Sequence, residues 1–476
     1  MKRKYNDNDF VKRKKMPHTI GKNISINEIQ NNSPTNITNS ITTNTKTNYT
    51  QNTKKPNTNT NINKTNTKPN NSKFYNKDPS LQYIKHPTAT PIIKQAKKFF
   101  SSQSIPFNVT IGPIHQWRTL SKLACRGCKK DGLIKKHISI GLFKPGSHDI
   151  VSCNDSVVHH RSINDMAKLI ESICVRLKVT GYREDTDIGL LRYLILCIET
   201  TTNKVQVTLV VNSHPTESTT SNDQLVLNNI INDLISHNNN NNELIHSIWV
   251  HYNPTSRHNN SITGRLENSW QHRYGEEYLR ELLITGMEEV SNIRPYLCFP
   301  PNVFRQANLV GFSKIIRTIR SYIPPNSRVI ELYGGVGTIG LNCLDLVDEI
   351  QCSDENPYNK ICFEKTLSEL HKKKYKKRAK YISAAAAYRA NDLQNFDLCI
   401  VDPPRKGLDD EVKQALNNLN RNSTLKRLIY ISCGFKGFSN DADTLLKKWK
   451  IIHAEGHILF PGSDHIETCA IFDRIQ

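Results

Sequence analysis

Ser327-Arg328-Val329-Ile330-Glu331-Leu332-Tyr333 reads as a buried strand, and it runs straight into Gly334-Gly335-Val336-Gly337-Thr338. A helix is predicted to follow, from Ile339 to about Leu346. Strand, glycine turn and helix N-terminus together make a site for a nucleotide-like ligand. The glycines let the ligand approach the backbone, and the free N–H groups of the first helical turn face it. Taken alone, the loop suits a dinucleotide site, an adenosylmethionine site or a purely structural turn.

Three strands further along end in residues suited to the same crevice. Glu349-Ile350-Gln351-Cys352-Ser353 ends in Asp354-Glu355, and Asp354 lies 19 residues after Gly335. That is close to the roughly 20 residues that separate a glycine loop from its ribose-binding acid. Phe396 to Val401 ends in Asp402-Pro403-Pro404-Arg405-Lys406-Gly407. Two prolines stiffen this loop where an open α/β sheet places its ligands. Arg427 to Ser432 delivers Cys433-Gly434. By itself that cysteine reads as a small buried hydrophobe; placed after Asp402-Pro403-Pro404-Arg405, it reads as a site thiol. The predicted class for residues 301–476 is a Rossmann-like α/β domain with a parallel sheet.

Residues 96–300 read as a smaller α+β domain. Strand-like runs Ile138–Phe143, Leu191–Glu199 and Val205–Val211 alternate with turns. Ile163, Met166, Leu169, Ile170, Ile173 and Leu177 mark a helix over 162–178. Five consecutive asparagines, 238–242, read as an insertion in a surface loop. Residues 1–95 read as a disordered basic tail. Its stretch 31–72 holds 14 Asn and 12 Thr, too little apolar surface to offset the entropy of ordering.

The chain of 476 residues carries 65 Lys+Arg against 43 Asp+Glu, a net charge of +22. Residues 1–100 hold +15 of this and the other 376 residues +7. The clusters Lys2-Arg3-Lys4 and Lys12-Arg13-Lys14-Lys15 suit phosphate contact, nuclear import or plain solvation. No run of 18 apolar residues occurs, and no secretory apolar segment opens the chain. The expected location is nucleus or cytoplasm, with an organelle also open, and no membrane partner. The twelve cysteines are expected to be reduced thiols.

Over about 109–476 these residues, in order, resemble the uracil-C5 RNA methyltransferases, which act on transfer or ribosomal RNA with S-adenosyl-L-methionine. Phe304-Arg305-Gln306-Ala307-Asn308 is similar to that family's Phe-x-Gln-x-Asn, and Glu331 to Thr338 to its Asp-Leu-Tyr-Cys-Gly-x-Gly loop. Asp402-Pro403-Pro404-Arg405 is similar to its Asp-Pro-Pro-Arg, and Tyr430-Ile431-Ser432-Cys433 to its Tyr-x-Ser-Cys. Phe460-Pro461-Gly462-Ser463-Asp464-His465-Ile466-Glu467 is similar to Phe-Pro-x-x-x-His-Val-Glu. The resemblance implies that Gln306, Tyr333, Asp354 and Asp402 line the S-adenosyl-L-methionine site. It implies Cys433 as nucleophile and Glu467 as base. Thr338 falls where some members contact the cofactor.

The chain departs from the family pattern at Gly334, where Cys is common, and at Glu331, where Asp is common. Cys433-Gly434-Phe435-Lys436 stands where many members have Cys-Asn-Pro. Some members hold a four-cysteine iron–sulfur cluster. Here Cys125, Cys128 and Cys153 are three candidates without a fourth, so no cluster and no other metal is expected. A leading β-barrel RNA-binding module is not expected either, since the tail lacks a strand pattern.

The chemistry explains the residue types. Uracil C5 is a poor nucleophile until a thiolate adds at C6 and makes the ring an enolate. The site is therefore expected to lower the pKa of Cys433. A carboxylate must later remove the C5 proton, which suits Glu467. The base must also leave its stack, with Arg118, Lys122, Lys135, Lys136 and His137 as candidate phosphate contacts. The expected protein is a monomeric enzyme making 5-methyluridine in transfer or ribosomal RNA. The alternatives are a methyltransferase acting on another base and a catalytically altered RNA-binding or folding protein.

Overall fold

In the computed structural model the described residues are 79–476, apart from 131–132, 145, 154, 219, 255–261, 264–265, 284–292 and 476. The tail expected over 1–95 lies outside them as far as residue 78. Helix α1 (Pro91–Ser102) and strand β1 (Phe107–Ile111) come first. A seven-stranded sheet follows, built from β2 (Leu120–Lys130), β3 (Leu133–Phe143), β4 (Ile150–Ser152), β5 (Leu191–Ile198), β6 (Val205–Val211), β7 (Ile245–Tyr252) and β8 (Trp270–Gly275). Its order is β4-β3-β2-β5-β6-β7-β8. Neighbours pair antiparallel except β6 with β7.

Helix α2 (Arg161–Arg176) falls where the apolar spacing predicts it and buries Ile163, Met166, Ile170 and Ile173 against this sheet. Helix α3 (Asn222–His237) makes the crossover that the parallel β6–β7 pair requires. The asparagine run begins differently from a surface loop. Asn238 is buried, its Oδ1 accepts from the Ile245 N–H at 2.8 Å, and its Nδ2 donates to the Tyr274 hydroxyl at 3.2 Å. It thereby ties the end of α3 to the strands that follow.

A two-stranded ribbon, β9 (Leu279–Leu282) and β10 (Tyr296–Phe299), leads into helix α4 (Leu309–Tyr322). The second sheet contains β11 (Arg328–Leu332), β12 (Glu349–Asp354), β13 (Ala379–Ser383), β14 (Leu398–Val401), β15 (Arg427–Ser432), β16 (Trp449–Ile458) and β17 (Glu467–Arg474). With β1 it has the order β1-β16-β17-β15-β14-β11-β12-β13, and only β17 is antiparallel to its neighbours. Between the strands lie α5 (Thr338–Leu341), α6 (Pro357–Glu369), α7 (Lys373–Lys376), α8 (Asp410–Asn417) and α9 (Phe435–Leu445). β14 is buried throughout, as a strand covered on both faces must be. This is the expected Rossmann-like architecture.

Two features differ from the sequence-based expectation. Helix α5 stops after one turn instead of reaching Leu346. The Asn342 side chain donates to the Thr338 carbonyl at 2.8 Å, and Arg320 takes the Asn342 carbonyl, a local bonding pattern that competes with helix propagation. Residues 91–111 precede the first sheet in sequence yet join the second. β1 pairs in parallel with β16, Phe107 opposite Ala454, while Phe99 and Phe100 meet Phe435 of α9 edge-on. Among the described residues no helix is long and apolar enough to cross a membrane.

Candidate active site

Strand register gathers the singled-out residues into one row. β15 and β17 pair with Ser432 opposite Thr468, so the next rung sets Cys433 against Glu467. β11 pairs with β14 at Leu332–Val401 and with β12 at Leu332–Ser353. The residues that follow, Tyr333, Asp402 and Asp354, therefore leave three adjacent strands at one level. The row runs Asp354, Tyr333, Asp402, Cys433, Glu467, with about 4.8 Å per strand step. All five, with Gln306, line one cavity of about 600 Å³. Thr338 lines a smaller adjoining cavity of about 40 Å³.

The glycine loop is held by the row itself. Asp354 accepts from the Gly335 N–H at 3.1 Å and from the Asn356 N–H at 2.9 Å. Gly335 has φ +53°, and the space a Cβ would take is open. Gly337 has φ +79°, and a Cβ there would lie 2.5 Å from the Phe363 ring. Tyr333 also adopts a left-handed conformation, φ +57°, which is uncommon for a bulky residue. Its hydroxyl donates to Asp409 Oδ2 at 3.1 Å and accepts from the Asp409 N–H at 3.0 Å. The ring faces the cavity while the hydroxyl anchors the loop that follows Asp402.

That loop rests directly on α9. A Cβ at Gly434 would lie 2.5 Å, and one at Gly437 2.6 Å, from the Arg405 carbonyl oxygen. Buried Asp441 accepts from the Leu408 N–H and the Tyr430 hydroxyl, each at 2.7 Å. Gly434 is the N-cap of α9, and Phe435 is buried against α1. The unusual Cys433-Gly434-Phe435-Lys436 is thus the start of a helix that packs on both the proline loop and the N-terminal helix.

Gln306 is positioned from the other side. Arg305 beside it is buried, pairs with buried Glu281, and donates to the Ile198 carbonyl at 2.9 Å. The Ala307 carbonyl accepts from the Thr119 N–H at 2.8 Å. Asn308 caps α4 through the Gly311 N–H at 2.9 Å and donates to the Leu459 carbonyl at 2.8 Å. Gln306 itself makes no hydrogen bond among the described residues and turns to the cavity.

The electrostatics correct one expectation. Burial pushes the Cys433 thiol up to about 11, Glu467 and Asp402 add to the rise, and Arg405 opposes it. The thiol is therefore not activated in advance. Burial also raises Asp402 to about 7. Glu467 is raised to about 8 by burial and by Asp402, against Arg405. Glu467 Oε2 is buried with no hydrogen-bond partner, so one oxygen is left for whatever enters.

Sequence reasoning missed Arg305, Glu281, Asp409 and Asp441. Glu281 carried a signal, being an acid at the strand position between Leu279 and Leu283, which share its face. Of the candidate phosphate contacts, Arg118 lies 5.1 Å from the Trp117 ring and 5.8 Å from that of Phe460, which lines the cavity. Lys122 is on β2, away from that cavity's lining. The side chains of Lys135, Lys136 and His137 lie outside the described residues. Cys125 and Cys153 are buried in the core of the first sheet, and the Cys128 side chain lies outside the described residues.

A protein-family model described as tRNA (uracil-5-)-methyltransferase matches residues 364–475. An uncharacterised RNA methyltransferase of Protochlamydia amoebophila is 34% identical over 375 residues, covering 77% of this chain and 90% of that protein. The chain belongs to the S-adenosylmethionine-dependent uracil-C5 RNA methyltransferase family. An uncharacterised RNA methyltransferase of Staphylococcus epidermidis is 23% identical over 368 residues, 77% of this chain and 73% of its own. Among solved structures, the Pyrococcus abyssi tRNA (uracil-54, C5)-methyltransferase in complex with S-adenosyl-L-homocysteine superposes with a TM-score of 0.58 at 20% identity. It covers 79% of this chain and 81% of its own, a likeness of fold. The cavity of this methyltransferase fits the family's cofactor. Asp402 offers a buried carboxylate to a cation, Asp354 offers acceptors beside the open Gly335, and Gln306 has a free amide.

Proposed function

We propose that this methyltransferase converts a uridine of transfer RNA to 5-methyluridine through a covalent adduct between Cys433 and C6 of the base. The single observation that carries the reading is the thiol of Cys433 facing a buried carboxylate with a free oxygen, Glu467, across adjacent strands. Transfer RNA is preferred over ribosomal RNA because the matching family model and the Pyrococcus protein are both described as acting on it.

In this reading Gln306, Tyr333, Asp354 and Asp402 hold S-adenosyl-L-methionine, which when bound supplies an electrophilic methyl group. The Cys433 thiol gives its proton to solvent as Sγ adds to C6, and the C5=C6 electron pair shifts toward C4, leaving the enolate charge on O4. C5 then takes the methyl group. Glu467 removes the remaining C5 proton, the electrons restore C5=C6, and the thiolate leaves. Burial leaves little of the Cys433 thiol ionised at pH 7. Glu467, raised to about 8 by the same burial, likewise has to lose its proton to solvent before it can act as the base.

The test is methyl transfer from labelled S-adenosyl-L-methionine to transfer RNA and, separately, to ribosomal RNA. Mass spectrometry of the nucleosides identifies the product. The expected product is 5-methyluridine in the transfer RNA alone. Cys433→Ala should abolish it. Glu467→Gln should accumulate a protein–RNA adduct that survives a denaturing gel, because the C5 proton cannot leave. A Cys433→Ala enzyme that still forms 5-methyluridine would remove the adduct mechanism, and labelled ribosomal RNA would change the substrate.

A further inference from the structure

We infer that the lysine-rich surface at residues 372–377 is a second docking site for the RNA, gripping its phosphate backbone away from the target base. This deepens the proposal above and rests on it for the identity of the polyanion. Residues 360–380 hold nine Lys+Arg and two Glu, a net of +7. Residues 101–476 taken together also sum to +7, so the remainder of that region is neutral on balance and the positive charge is concentrated here.

The segment spans the end of α6, the short α7 and the start of the edge strand β13. Its backbone is firmly held. Tyr375 is 2% exposed, Arg378 donates to the Val347 carbonyl at 2.7 Å, and Lys376 donates to the Ser368 carbonyl. Lys380 pairs with Glu349 at 2.7 Å. Lys372, Lys373, Lys374 and Lys377 are different: they are exposed and have no acidic partner among the described residues. Beside them lies a cavity of about 490 Å³ lined by Arg280, Arg294, Tyr296, His371 and Lys372. Glu369 lines it too, but Arg280 and Lys365 already engage that carboxylate. Tyr296 is 45% exposed and offers a face on which a base can stack.

The separation from the catalytic cavity follows from α6. Asn356, just before its first residue, lines that cavity, and Glu369, its last residue, lines the second. Thirteen residues at about 1.5 Å each place the two roughly 20 Å apart. A stacked strand advances about 3.4 Å per nucleotide, so a ligand touching both must extend about six nucleotides from the target base. A polynucleotide does this and a nucleoside does not. A membrane surface fits less well, because within 371–380 the exposed residues are all polar and nothing there would enter an acyl layer.

The test uses the full-length protein with unfractionated transfer RNA as probe. One variant changes Lys372, Lys373 and Lys374 to Gln. A control changes Lys447, Lys448 and Lys450 to Gln; these are exposed at the turn into β16, six strands away in the same sheet. Affinity is measured by filter binding across a range of KCl. Each lost phosphate contact lowers the slope of log affinity against log salt by about 0.9. The expected change is a drop of about 2–3 for the first variant and under about 1 for the control. Affinity at physiological salt should fall at least ~10-fold in the first variant only, with S-adenosyl-L-methionine affinity unchanged in both. Equal losses in the two variants, or an unchanged slope in the first, would overturn the inference. So would loss of binding to phosphatidylserine vesicles with RNA binding intact. Because RNA binding is read without catalysis, failure of the methylation reading shows separately, as wild-type protein that binds RNA and transfers no methyl group.

Discussion

Cys433 is surrounded by acids, and that governs when it reacts. Burial and the carboxylates of Glu467 and Asp402 push its pKa to about 11, with Arg405 pulling the other way. Glu467 contributes only when ionised, which happens above about pH 8. Glu467→Gln removes this negative charge at every pH, so the Cys433 pKa should fall by about one unit. Iodoacetamide alkylation, followed by mass spectrometry of the Cys433 peptide, checks it. The variant should react several-fold faster at pH 9, and the two proteins should converge below about pH 7, where wild-type Glu467 is itself neutral. The other free thiols among the described residues are buried, so of these Cys433 is the one open to the reagent. An unchanged or raised midpoint would mean that Glu467 does not act on the thiol.

At the level of elements, the proline loop and α9 behave as one piece. Gly437→Ala would push a Cβ to within 2.6 Å of the Arg405 carbonyl, a backbone atom that cannot swing away. Overpacking of this kind costs about 1–3 kcal/mol. Urea unfolding should report that loss, and S-adenosyl-L-methionine should bind more weakly because Asp402 moves with the loop. Wild-type affinity at reduced stability would show that the loop relaxes independently. Asp354, Tyr333, Asp402 and Cys433 were legible in the sequence because each follows a strand-like run and parallel strands deliver their carboxyl ends to one side, whereas Glu467 opens the antiparallel β17 and was reached only through the family resemblance. The pairing of β1 with β16 was not, since it joins segments 347 residues apart at Phe107 and Ala454 and nothing local marks the partner. Nor was the Arg305–Glu281 pair, which depends on how β9 meets β5. The sign of the Cys433 shift was also hidden, because sequence shows which charges exist but not how much water they lose.

At the scale of the whole molecule, buried acids set the response to pH. Burial lifts Glu331 and Asp402 to about 7 and Glu467 to about 8, against about 4 for the same groups in an unfolded chain. Between these limits the folded protein holds protons that the unfolded chain has lost, so stability falls as pH rises. His251 opposes this at lower pH. Burial holds it down to about 4, so its contribution grows with pH until the unfolded value near 6.5 is passed. Between about pH 6.5 and 8 the acids act without that offset, and the free-energy loss should be on the order of 2 kcal/mol. A falling urea midpoint across that interval is the expected observation. Glu467→Gln deletes one of the three contributions, so this variant should be more stable than wild type at pH 8, by about 1 kcal/mol or more, with the difference shrinking toward pH 5. The same substitution should stop turnover at the adduct. An enzyme that gains stability on losing the Glu467 carboxyl holds that group in the cavity against its solvation preference, whereas a less stable variant or a flat pH profile would mean that the folded site solvates Glu467 as well as water does.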